Sequence, residues 1–575
     1  MDKIRALSQH ALPALKVLLI AAAGFWIYHP VLNGAWLMDD AIYLPHNPLL
    51  HDPARLWKIW FAPGSFIEYY PIEETVQWAQ WQLWGNQTFG YHLTNVVLHL
   101  VNGLLVWRLL DKFGLKLAWL GGLLFVIHPA AVESVAWISE LKNTLSLLPF
   151  LLAMCAWFDY EERNRPRDYY LALGLFAAAM LCKISMATFP LVILLYAWWK
   201  RDRIGWTDLR AFAPFLMISL ALVLVTILAS MSFTANHHRE PGLEQIATES
   251  FFQRLVGAGL AFAFYFSQFF WPVRMMPLYP QWNIDSRSLL EFLPWPIVLA
   301  GACWLWTKRE GWGRHAILGG GFFLILLAPF LGFTTISYMN ITPVMDHFLY
   351  LPMIGLIGLV VAALERMAEI IPRDLRSTGT GIATAVLVLL ALESHGYAGV
   401  FVNPETLWTY TVQGNPDSEV AQNNLGLVYL NSGRFPKAID HYLQALKINP
   451  DYATAHNGLG NALAFSGNAA GALDQYRKAS RLDPDYPEAH NGLANILLQN
   501  GQLPEAKAEC EEALRLRPNY TDALCNLGLI LAQQGQIPEA IEEFEAAQKL
   551  NPTDVRIQQQ LSSLRAQLNN GTGKK

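Results

Sequence analysis

Charged residues are scarce in this chain of 575 residues. Asp, Glu, Lys and Arg make up 15% of it, whereas soluble globular domains carry roughly 25%. The formal net charge is −5 and no basic stripe is present, so nucleic acid is not expected as a partner. In contrast, 53% of the residues are hydrophobic and 21 are Trp, a composition typical of proteins with aromatic rings at membrane–water interfaces.

Cysteine pairs and nucleotide or protease motifs are also missing. The five cysteines (Cys155, Cys182, Cys303, Cys510 and Cys525) form no CxxC, which predicts neither a disulfide framework nor a zinc site. Only a bridge between Cys510 and Cys525, in adjacent repeats, stays open. No Walker phosphate loop, GxGxxG, GxSxG or HExxH occurs, so an activated donor is expected to arrive through the membrane. No cofactor or metal is expected.

Long apolar runs fill residues 1–400. Each is near the ~20 residues that cross a bilayer, and together they predict an all-α polytopic membrane domain of about 11–13 spans. Lys3 and Arg5 precede the first run, which is interpreted as a retained span with a cytoplasmic N-terminus. The twelve runs are 11–32, 89–110, 116–131, 144–159, 169–183, 186–199, 211–231, 254–271, 290–306, 316–333, 347–364 and 379–394.

Basic clusters predict the orientation of these spans. The clusters at 163–167 and 200–203 fall on the cytoplasmic side, which places 33–88 outside as the first outer loop. Its many Trp and Tyr residues predict one or two interfacial helices with an aromatic face on the lipid. The clusters at 308–314 and 366–376 then need one further crossing or re-entrant segment between about 232 and 290. That crossing also places the C-terminal part outside.

An internal repeat begins after residue 400. Pro416, Pro450, Pro484, Pro518 and Pro552 recur every 34 residues, the period of tetratricopeptide repeats, which pair two helices. We predict a linker or first helix at 401–416, four repeats at 417–552, a capping helix at 553–568 and a disordered tail at 569–575. Such an array is an α-solenoid with a concave binding face.

Two groups of polar residues stand near the predicted outer ends of spans. Asp39 and Asp40 follow the first span, where a carboxylate can act as general base, or the two are simply solvated acids ending a helix. His128 and Glu133, with Glu140, Lys142 and Asn143, suit phosphate or sugar hydroxyl groups better than a metal.

Three further positions are weaker or ambiguous. Lys183 lies between apolar stretches and needs a partner such as a phosphate, unless it extends along apolar surface to the interface. Tyr279 and the pair Asp346 and His347 are similar candidates with a weaker signal.

Asparagines recur in the repeats. Asn423, Asn457 and Asn491 keep the 34-residue spacing, and an Asn amide both donates to and accepts from a peptide backbone. The interpretation as a peptide-binding row competes with that of a solvated inner face. The same helices also carry Asn424, Asn461, Asn495 and Asn526.

The sequence resembles the transmembrane and tetratricopeptide repeat-containing protein O-mannosyltransferases of the glycosyltransferase-C superfamily, and their bacterial relatives. The resemblance covers nearly the whole chain. Its landmarks, in order, are Asp39-Asp40, Asn47-Pro48, Tyr69-Tyr70-Pro71, Gly90 to Asn95 with His92, His128-Pro129, Glu133 to Ala136, Glu140 to Ser146, Tyr279-Pro280, Asp346-His347 and Tyr350-Leu351. Leu141 and Gln281 depart from it, because relatives carry basic residues there.

The resemblance implies a glycosyltransferase-C-like fold and inverting transfer of mannose or a similar hexose. The donor is a polyprenyl-phosphate sugar, and the acceptor is Ser or Thr of a polypeptide bound by the repeats. The implied base is Asp39 or Asp40. The implied donor-binding residues are His128, Glu133, Lys142, Lys183, Tyr279, Asp346 and His347. The implied substrate contacts in the outer loop are Asn47, Tyr69, Tyr70 and His92. The implied location is a bacterial inner membrane, with the catalytic loop and the repeats on the periplasmic side.

Two other functions stay open. One is a non-catalytic membrane-anchored scaffold for envelope protein assembly, whose repeats alone carry the function. The other is a transporter or flippase for a polyprenyl lipid, although no inverted repeat in the spans supports it.

Overall fold

The structure, a computed structural model, describes residues 2–45, 47–62, 68–236, 250–285, 287–333 and 337–572. These residues are mainly helical and include no strand. The chain divides near Tyr410 into two compact units, here called the membrane unit and the repeat unit. Parts of three predicted features lie outside the described ranges. They are His46 in the outer loop, residues 237–249 and 286 of the sought crossing, and the last three residues of the tail.

The membrane unit contains seventeen helices of very different length in the described ranges, followed by α18 at its boundary. They are α1 (Asp2–Tyr28), α2 (Asp40–Tyr43), α3 (Pro48–His51), α4 (Leu56–Phe61), α5 (Pro71–Trp84), α6 (Phe89–Lys112), α7 (Ala118–Ile127), α8 (Val132–Ala136), α9 (Leu141–Arg163), α10 (Pro166–Cys182), α11 (Phe189–Arg201), α12 (Trp206–Asn236), α13 (Phe251–Phe270), α14 (Pro294–Thr307), α15 (Trp312–Leu327), α16 (Met353–Ile370), α17 (Arg376–Ala398) and α18 (Pro404–Gly414).

Six helical segments among the described residues are long and apolar enough to cross a bilayer. They are Leu12–Val31, Phe89–Lys112, Ile138–Arg163, Trp206–Phe233, Trp312–Phe330 and Arg376–Val402. A seventh candidate is the bent pair Ala118–Ile127 and Pro129–Ala136, which meet at 60°. The chain is a multi-pass membrane protein.

The predicted number of 11–13 spans is therefore higher than the structure supports by length and composition. Each predicted run overlaps a helix, but several of these helices are short; α10, α11 and α14 have 17, 13 and 14 residues. The sought extra crossing is not found in the described part of 232–290, which holds only the end of α12, then α13 and irregular chain. The sidedness of the basic clusters remains a prediction.

The aromatic face predicted for the first outer loop is only partly present. Four short helices, α2 to α5, form this loop. Trp57 and Phe61 of α4 are exposed. However, Trp36, Trp78, Trp81 and Trp84 pack against a small buried core of Leu44, Leu50, Tyr91 and Ile138. These rings turn inward because packing large aromatic surface against Leu44 and Leu50 adds to the small apolar core of the loop.

Polar side chains fix the start of α9 against α6. The Asn95 amide donates to the Trp137 carbonyl at 3.2 Å, and Asn102 donates to the Thr144 carbonyl at 2.8 Å. Thr144 Oγ1 in turn donates to Asn95 Oδ1 at 3.2 Å. Such interhelical hydrogen bonds hold membrane helices in register, so the segment from 137 to 144 has a fixed position.

The repeat unit consists of four antiparallel helix pairs and a final helix. Each predicted proline lies between pairs, where its missing N–H costs nothing. The helices are α19 (Glu419–Asn431), α20 (Phe435–Ile448), α21 (Ala453–Phe465), α22 (Ala469–Leu482), α23 (Pro487–Gln499), α24 (Leu503–Leu516), α25 (Thr521–Gln533), α26 (Ile537–Leu550) and α27 (Val555–Thr572). Cys510 and Cys525 are both thiols.

Candidate active site

The two adjacent acids after the first span have different surroundings. Asp40 is fully buried at the start of α2, whereas Asp39 is exposed. Asp40 Oδ2 accepts a hydrogen bond from Leu37 N at 3.1 Å. Its Oδ1 accepts two from Ser139, from the backbone N at 2.7 Å and from Oγ at 2.5 Å. Asp40 therefore ties the first outer loop to the start of α9.

The turn that presents Asp39 is strained. Met38 has φ of 44°, a left-handed conformation that a residue with a side chain adopts at a cost of about 1–3 kcal/mol. The Asp40 hydrogen bonds to Leu37 and Ser139 hold this turn from both sides. Burial raises the pKa of Asp40 to about 7, even though these hydrogen bonds lower it.

A network of buried charges begins one residue after Ser139. His347 lies between two carboxylates, with its Nδ1 3.1 Å from Glu133 Oε1 and its Nε2 3.9 Å from Glu140 Oε1. The His347 backbone N–H also donates to Glu133 Oε2 at 3.1 Å. Glu133 and Glu140 were predicted from one segment of the sequence and His347 from another, and the fold brings them together.

Two lysines join the same network. Lys142 Nζ lies 3.8 Å from Glu140 Oε1 and 3.5 Å from Glu68 Oε2. Lys183 Nζ donates to the side-chain oxygen Oδ1 of Asn143, and the Asn143 side-chain amide donates to Glu140 Oε2. A charge in a membrane domain needs a partner or an aqueous cavity, and these contacts supply partners for both ammonium groups within the protein.

Asp346 and Tyr279 form a second buried group beside this network. The Tyr279 hydroxyl donates to Asp346 Oδ1 at 2.7 Å, and the Tyr397 hydroxyl donates to Oδ2 at 3.0 Å. Tyr279 N donates to Thr342 Oγ1 at 3.0 Å. Both carboxylate oxygens of Asp346 thus accept a hydrogen bond from a tyrosine hydroxyl, and its role in donor binding remains a prediction.

Several predicted site residues instead hold the protein's own backbone. His128 stacks on Phe269, its Nε2 lies 3.0 Å from the Phe269 carbonyl oxygen, and its Nδ1 accepts from Ala130 N at 3.2 Å. Asn47 caps α3 by accepting from Leu49 N. The Tyr69 hydroxyl donates to the Trp60 carbonyl at 2.9 Å. In this arrangement these polar groups are already used, so we leave the three residues out of the site.

Tyr70 and His92, two predicted outer-loop contacts, lie in different surroundings. The Tyr70 hydroxyl is 3.4 Å from Oε1 of Glu68, the residue that also contacts Lys142. His92 is buried at the start of α6, beside Gly34.

One polar feature was missed at the sequence level. The most buried positions of α5 are Pro71, Glu73, Gln77 and Gln80, three of them polar. Because Glu73, Gln77 and Gln80 are spaced i, i+4 and i+7, they share one helix face, and this spacing could have been noticed. The aromatic residues between them drew the interpretation towards a lipid-facing helix instead. Burial raises the pKa of Glu74 to about 8.

The repeat asparagines take part in links between neighbouring repeats. The Asn457 amide is 3.4 Å from the Tyr486 hydroxyl, and Asn491 has the same relation to Tyr520. Asn526 donates to Asn491 at 2.8 Å. The Oδ1 atoms of Asn423 and Asn457 are buried without a hydrogen-bond partner among the described residues. Of the others, Asn424 lies 3.5 Å from Asn423, Asn461 accepts from Tyr476, and Asn495 accepts from Gln499.

Metal ligands do not cluster in the described ranges. No group of three or more His, Cys, Asp or Glu side chains there is arranged to hold an ion. The absence of a metal from the reaction remains a prediction.

The comparisons with known proteins point in one direction. The chain is similar to protein O-mannosyl-transferases. Residues 71–229 match the family described as dolichyl-phosphate-mannose-protein mannosyltransferase. Residues 426–467, 460–501 and 491–555 match tetratricopeptide repeat families. The mannosyltransferase match contains α5, Lys142 and Lys183, but it begins after Asp39 and Asp40 and ends before His347.

Full-length relatives are longer than this chain. A protein O-mannosyl-transferase of Caenorhabditis elegans is 22% identical over 73% of this chain and 61% of its own length. Human protein O-mannosyl-transferase TMTC1 is 24% identical over 76% of this chain and 55% of its own. The chain therefore spans between half and two thirds of the length of these two curated relatives.

Solved structures match the repeat unit. YrrB, a tetratricopeptide repeat protein with an unusual peptide-binding site, is 23% identical with a TM-score of 0.25, covering 28% of this chain and 84% of its own. Pseudomonas aeruginosa pilF is 27% identical with a TM-score of 0.26, covering 27% and 72%.

Proposed function

We propose that this chain is a membrane glycosyltransferase that transfers a sugar, mannose or a similar hexose, from a polyprenyl-phosphate donor to Ser or Thr of a polypeptide. One observation carries the proposal: the contact between Asp40 and Ser139. It connects the turn that carries the exposed Asp39 to Ser139, which directly precedes Glu140, a partner of Lys142. We infer that a base and a phosphate-binding pair of lysines act at one site of the membrane unit. The similarity to protein O-mannosyl-transferases supports the same reaction class.

Asp39 is the better candidate for the general base. The carboxylate of Asp40 already accepts three hydrogen bonds and is fully buried. Asp39 is exposed, and a base must come within hydrogen-bond reach of the hydroxyl it deprotonates. Asp40 then positions Asp39 by holding the strained turn at Met38.

The reaction is a single displacement with inversion. The Ser or Thr oxygen attacks the anomeric carbon and its proton passes to Asp39, while the bond from that carbon to the phosphate oxygen breaks. The leaving polyprenyl phosphate gains negative charge, which the ammonium groups of Lys142 and Lys183 offset. Charge-assisted contacts of this kind stabilise the transition state when they are fixed before the reaction.

The repeats are the proposed site of the polypeptide acceptor. First helices of neighbouring pairs contact each other, α19 with α21, α21 with α23 and α23 with α25, and they carry the asparagine row. The buried, unpartnered carbonyl oxygens of Asn423 and Asn457 are suited to accept backbone N–H groups of an extended chain. We also place the first outer loop and the repeats on the periplasmic side of a bacterial inner membrane.

Transfer by purified protein tests the catalytic assignment. Full-length chain in lipid nanodiscs is given polyprenyl-phosphate mannose and a Ser/Thr-rich polypeptide, and mass spectrometry counts added hexose. Asp39→Asn is expected to lose about 10²–10⁴-fold in rate with unchanged thermal unfolding. Asp111→Asn, an exposed acid near the C-terminal end of α6, is the matched control and keeps full rate. Full activity of Asp39→Asn contradicts the assignment, and no transfer by wild type favours a scaffold instead.

A further inference from the structure

Helix α5 buries a polar face. Glu73, Gln77 and Gln80 are 5%, 9% and 4% exposed, whereas Leu83 on the same helix is 72% exposed. A helix that packs on a protein normally turns its apolar residues inward and its polar residues outward. The arrangement here is reversed at these positions, and we call Glu73, Gln77 and Gln80 the α5 polar face.

Several buried side-chain groups of α5 lack a hydrogen-bond partner among the described residues. Gln77 Nε2 donates to Glu73 Oε1 at 2.8 Å. The buried Gln80 Oε1, Glu74 Oε2 and Trp78 Nε1 have no hydrogen-bond partner in the part of the chain that the structure describes. Each such group costs about 1–3 kcal/mol when it stays unpaired. Gln80 Oε1 is an unpaired acceptor on the side of α5 that carries Glu73 and Gln77, whereas Glu74 Oε2 and Trp78 Nε1 lie on the adjacent side of the helix. A partner along this helix therefore needs groups that both donate and accept.

The α5 polar face borders the buried charges around Glu140, Lys142 and Lys183, here called the lysine network. Helix α5 packs against α10, which ends just before Lys183, and against α9, which carries Lys142. Glu73 interacts electrostatically with Lys142 and Glu140, and Lys183 interacts electrostatically with Glu73. A ligand whose anionic end meets the two lysines has its next group beside Glu73 and Gln77.

The chemistry of the face selects the kind of group that fits there. A second phosphate is disfavoured because Glu73, Glu74, Gln77 and Gln80 offer it no cationic group of their own. An isoprenoid chain is disfavoured because it leaves the amides unpaired. Hydroxyl groups fit, since each donates to a carboxylate or amide oxygen and accepts from an amide or indole N–H.

We propose that the α5 polar face is the sugar-recognition surface of this protein and binds the hydroxyl groups of a neutral hexose. The inference rests on the proposed function in one respect: the hexose is the one attached to the donor phosphate at Lys142 and Lys183. Sites that hydrogen-bond a substrate hydroxyl discriminate strongly against ligands that lack it. The identity of the transferred sugar is thus set by α5.

Binding of two lipids that differ only in the sugar tests this inference without requiring transfer. Full-length chain in nanodiscs is titrated with polyprenyl phosphate and with polyprenyl-phosphate mannose. Wild type is expected to bind the mannosyl lipid at least 10-fold more tightly. Gln77→Leu and Gln80→Leu should each lose about 10-fold or more of this preference, with affinity for polyprenyl phosphate unchanged within 2-fold. Gln80→Met replaces Gln80→Leu if that variant does not fold.

Gln87→Leu is the matched control, because Gln87 is exposed just after α5; it should keep the full preference. No sugar preference in wild type, or an equal loss for both lipids in the α5 variants, overturns the inference. A kept preference in Gln77→Leu and Gln80→Leu overturns it as well. If the preference depends on α5 but wild type transfers no sugar to protein, the sugar site stands and the proposed transferase function fails.

Discussion

Asp39 and Asp40 are neighbours in the chain with different surroundings. Asp40 is buried and accepts from Leu37 and Ser139, so it holds the strained turn at Met38; Asp39 extends from that turn. In our proposal Asp40 positions the turn and Asp39 reacts, an assignment that follows from their burial and hydrogen bonding.

Because Asp40 is buried, we expect the free energy of unfolding of the protein to depend on pH. Its folded-state pKa is raised from 3.8 to about 7 by burial, so the folded protein binds this proton more tightly than the unfolded chain does. The stabilisation is fully present below pH 3.8 and is lost as the pH rises through about 7, with an upper size of about 4 kcal/mol.

Thermal unfolding between pH 4 and pH 8 in detergent measures this effect. Asp40→Asn cannot titrate, and its unfolding temperature should fall less over that range than the wild type's. Asp111→Asn should follow the wild type. Parallel curves for wild type and Asp40→Asn contradict the prediction.

Helix packing in the repeats depends on glycines around large rings. The Tyr442 ring is enclosed by two glycines from neighbouring helices; a Cβ on Gly426 would lie 3.0 Å from it and one on Gly458 only 2.4 Å. The tyrosine is buried and its ring is rigid, so the shorter approach leaves no room.

Alanine substitutions at these two glycines should have different effects. Both gain about 1 kcal/mol of helix propensity, but Gly458→Ala forces the ring to move, at about 1–3 kcal/mol. We expect Gly458→Ala to increase hydrogen exchange in α20 and α21 of the full chain, and Gly426→Ala to change it little. A larger effect of Gly426→Ala contradicts the geometry.

The asparagine row gives a prediction on acceptor binding. Asn423→Ala combined with Asn457→Ala removes the two amide oxygens that we propose to accept from a peptide backbone. It should weaken binding of an unstructured Ser/Thr-rich polypeptide about 10-fold, given about 0.5–1.5 kcal/mol for each hydrogen bond. Fluorescence anisotropy of a labelled polypeptide with full-length protein measures it.

Two controls separate peptide binding from repeat stability. Asn500→Ala, at an exposed position after α23, should leave binding unchanged. Tyr486→Phe removes only the hydroxyl that Asn457 contacts and should also bind normally. If Tyr486→Phe weakens binding as much as the double alanine variant, the asparagines act only by linking the repeats.

At the scale of the whole molecule, orientation in the membrane is the main prediction. Basic residues predict that 33–88 and the repeats are outside and that 163–167 is cytoplasmic. The test uses chains whose own cysteines are replaced by serine and that each carry one new cysteine, at Gln87, Ser562 or Arg165. Intact cells that make each chain are treated with a membrane-impermeant thiol reagent. Gln87→Cys and Ser562→Cys should be labelled and Arg165→Cys protected until lysis. Protection of Ser562→Cys contradicts a periplasmic repeat unit.

The sequence determined the all-α class, the sites of the membrane helices and the repeat array, because apolar runs and a 34-residue period are local signals. It did not determine the number of spans, since helix length depends on where prolines and polar residues end a helix inside the packed bundle. Only the tertiary structure joined Ser139 to Asp40 and His347 to Glu133, contacts between residues about 100 and 214 positions apart. It also decided that α5 turns its glutamines inward, because the direction of a helix face depends on what packs beside it.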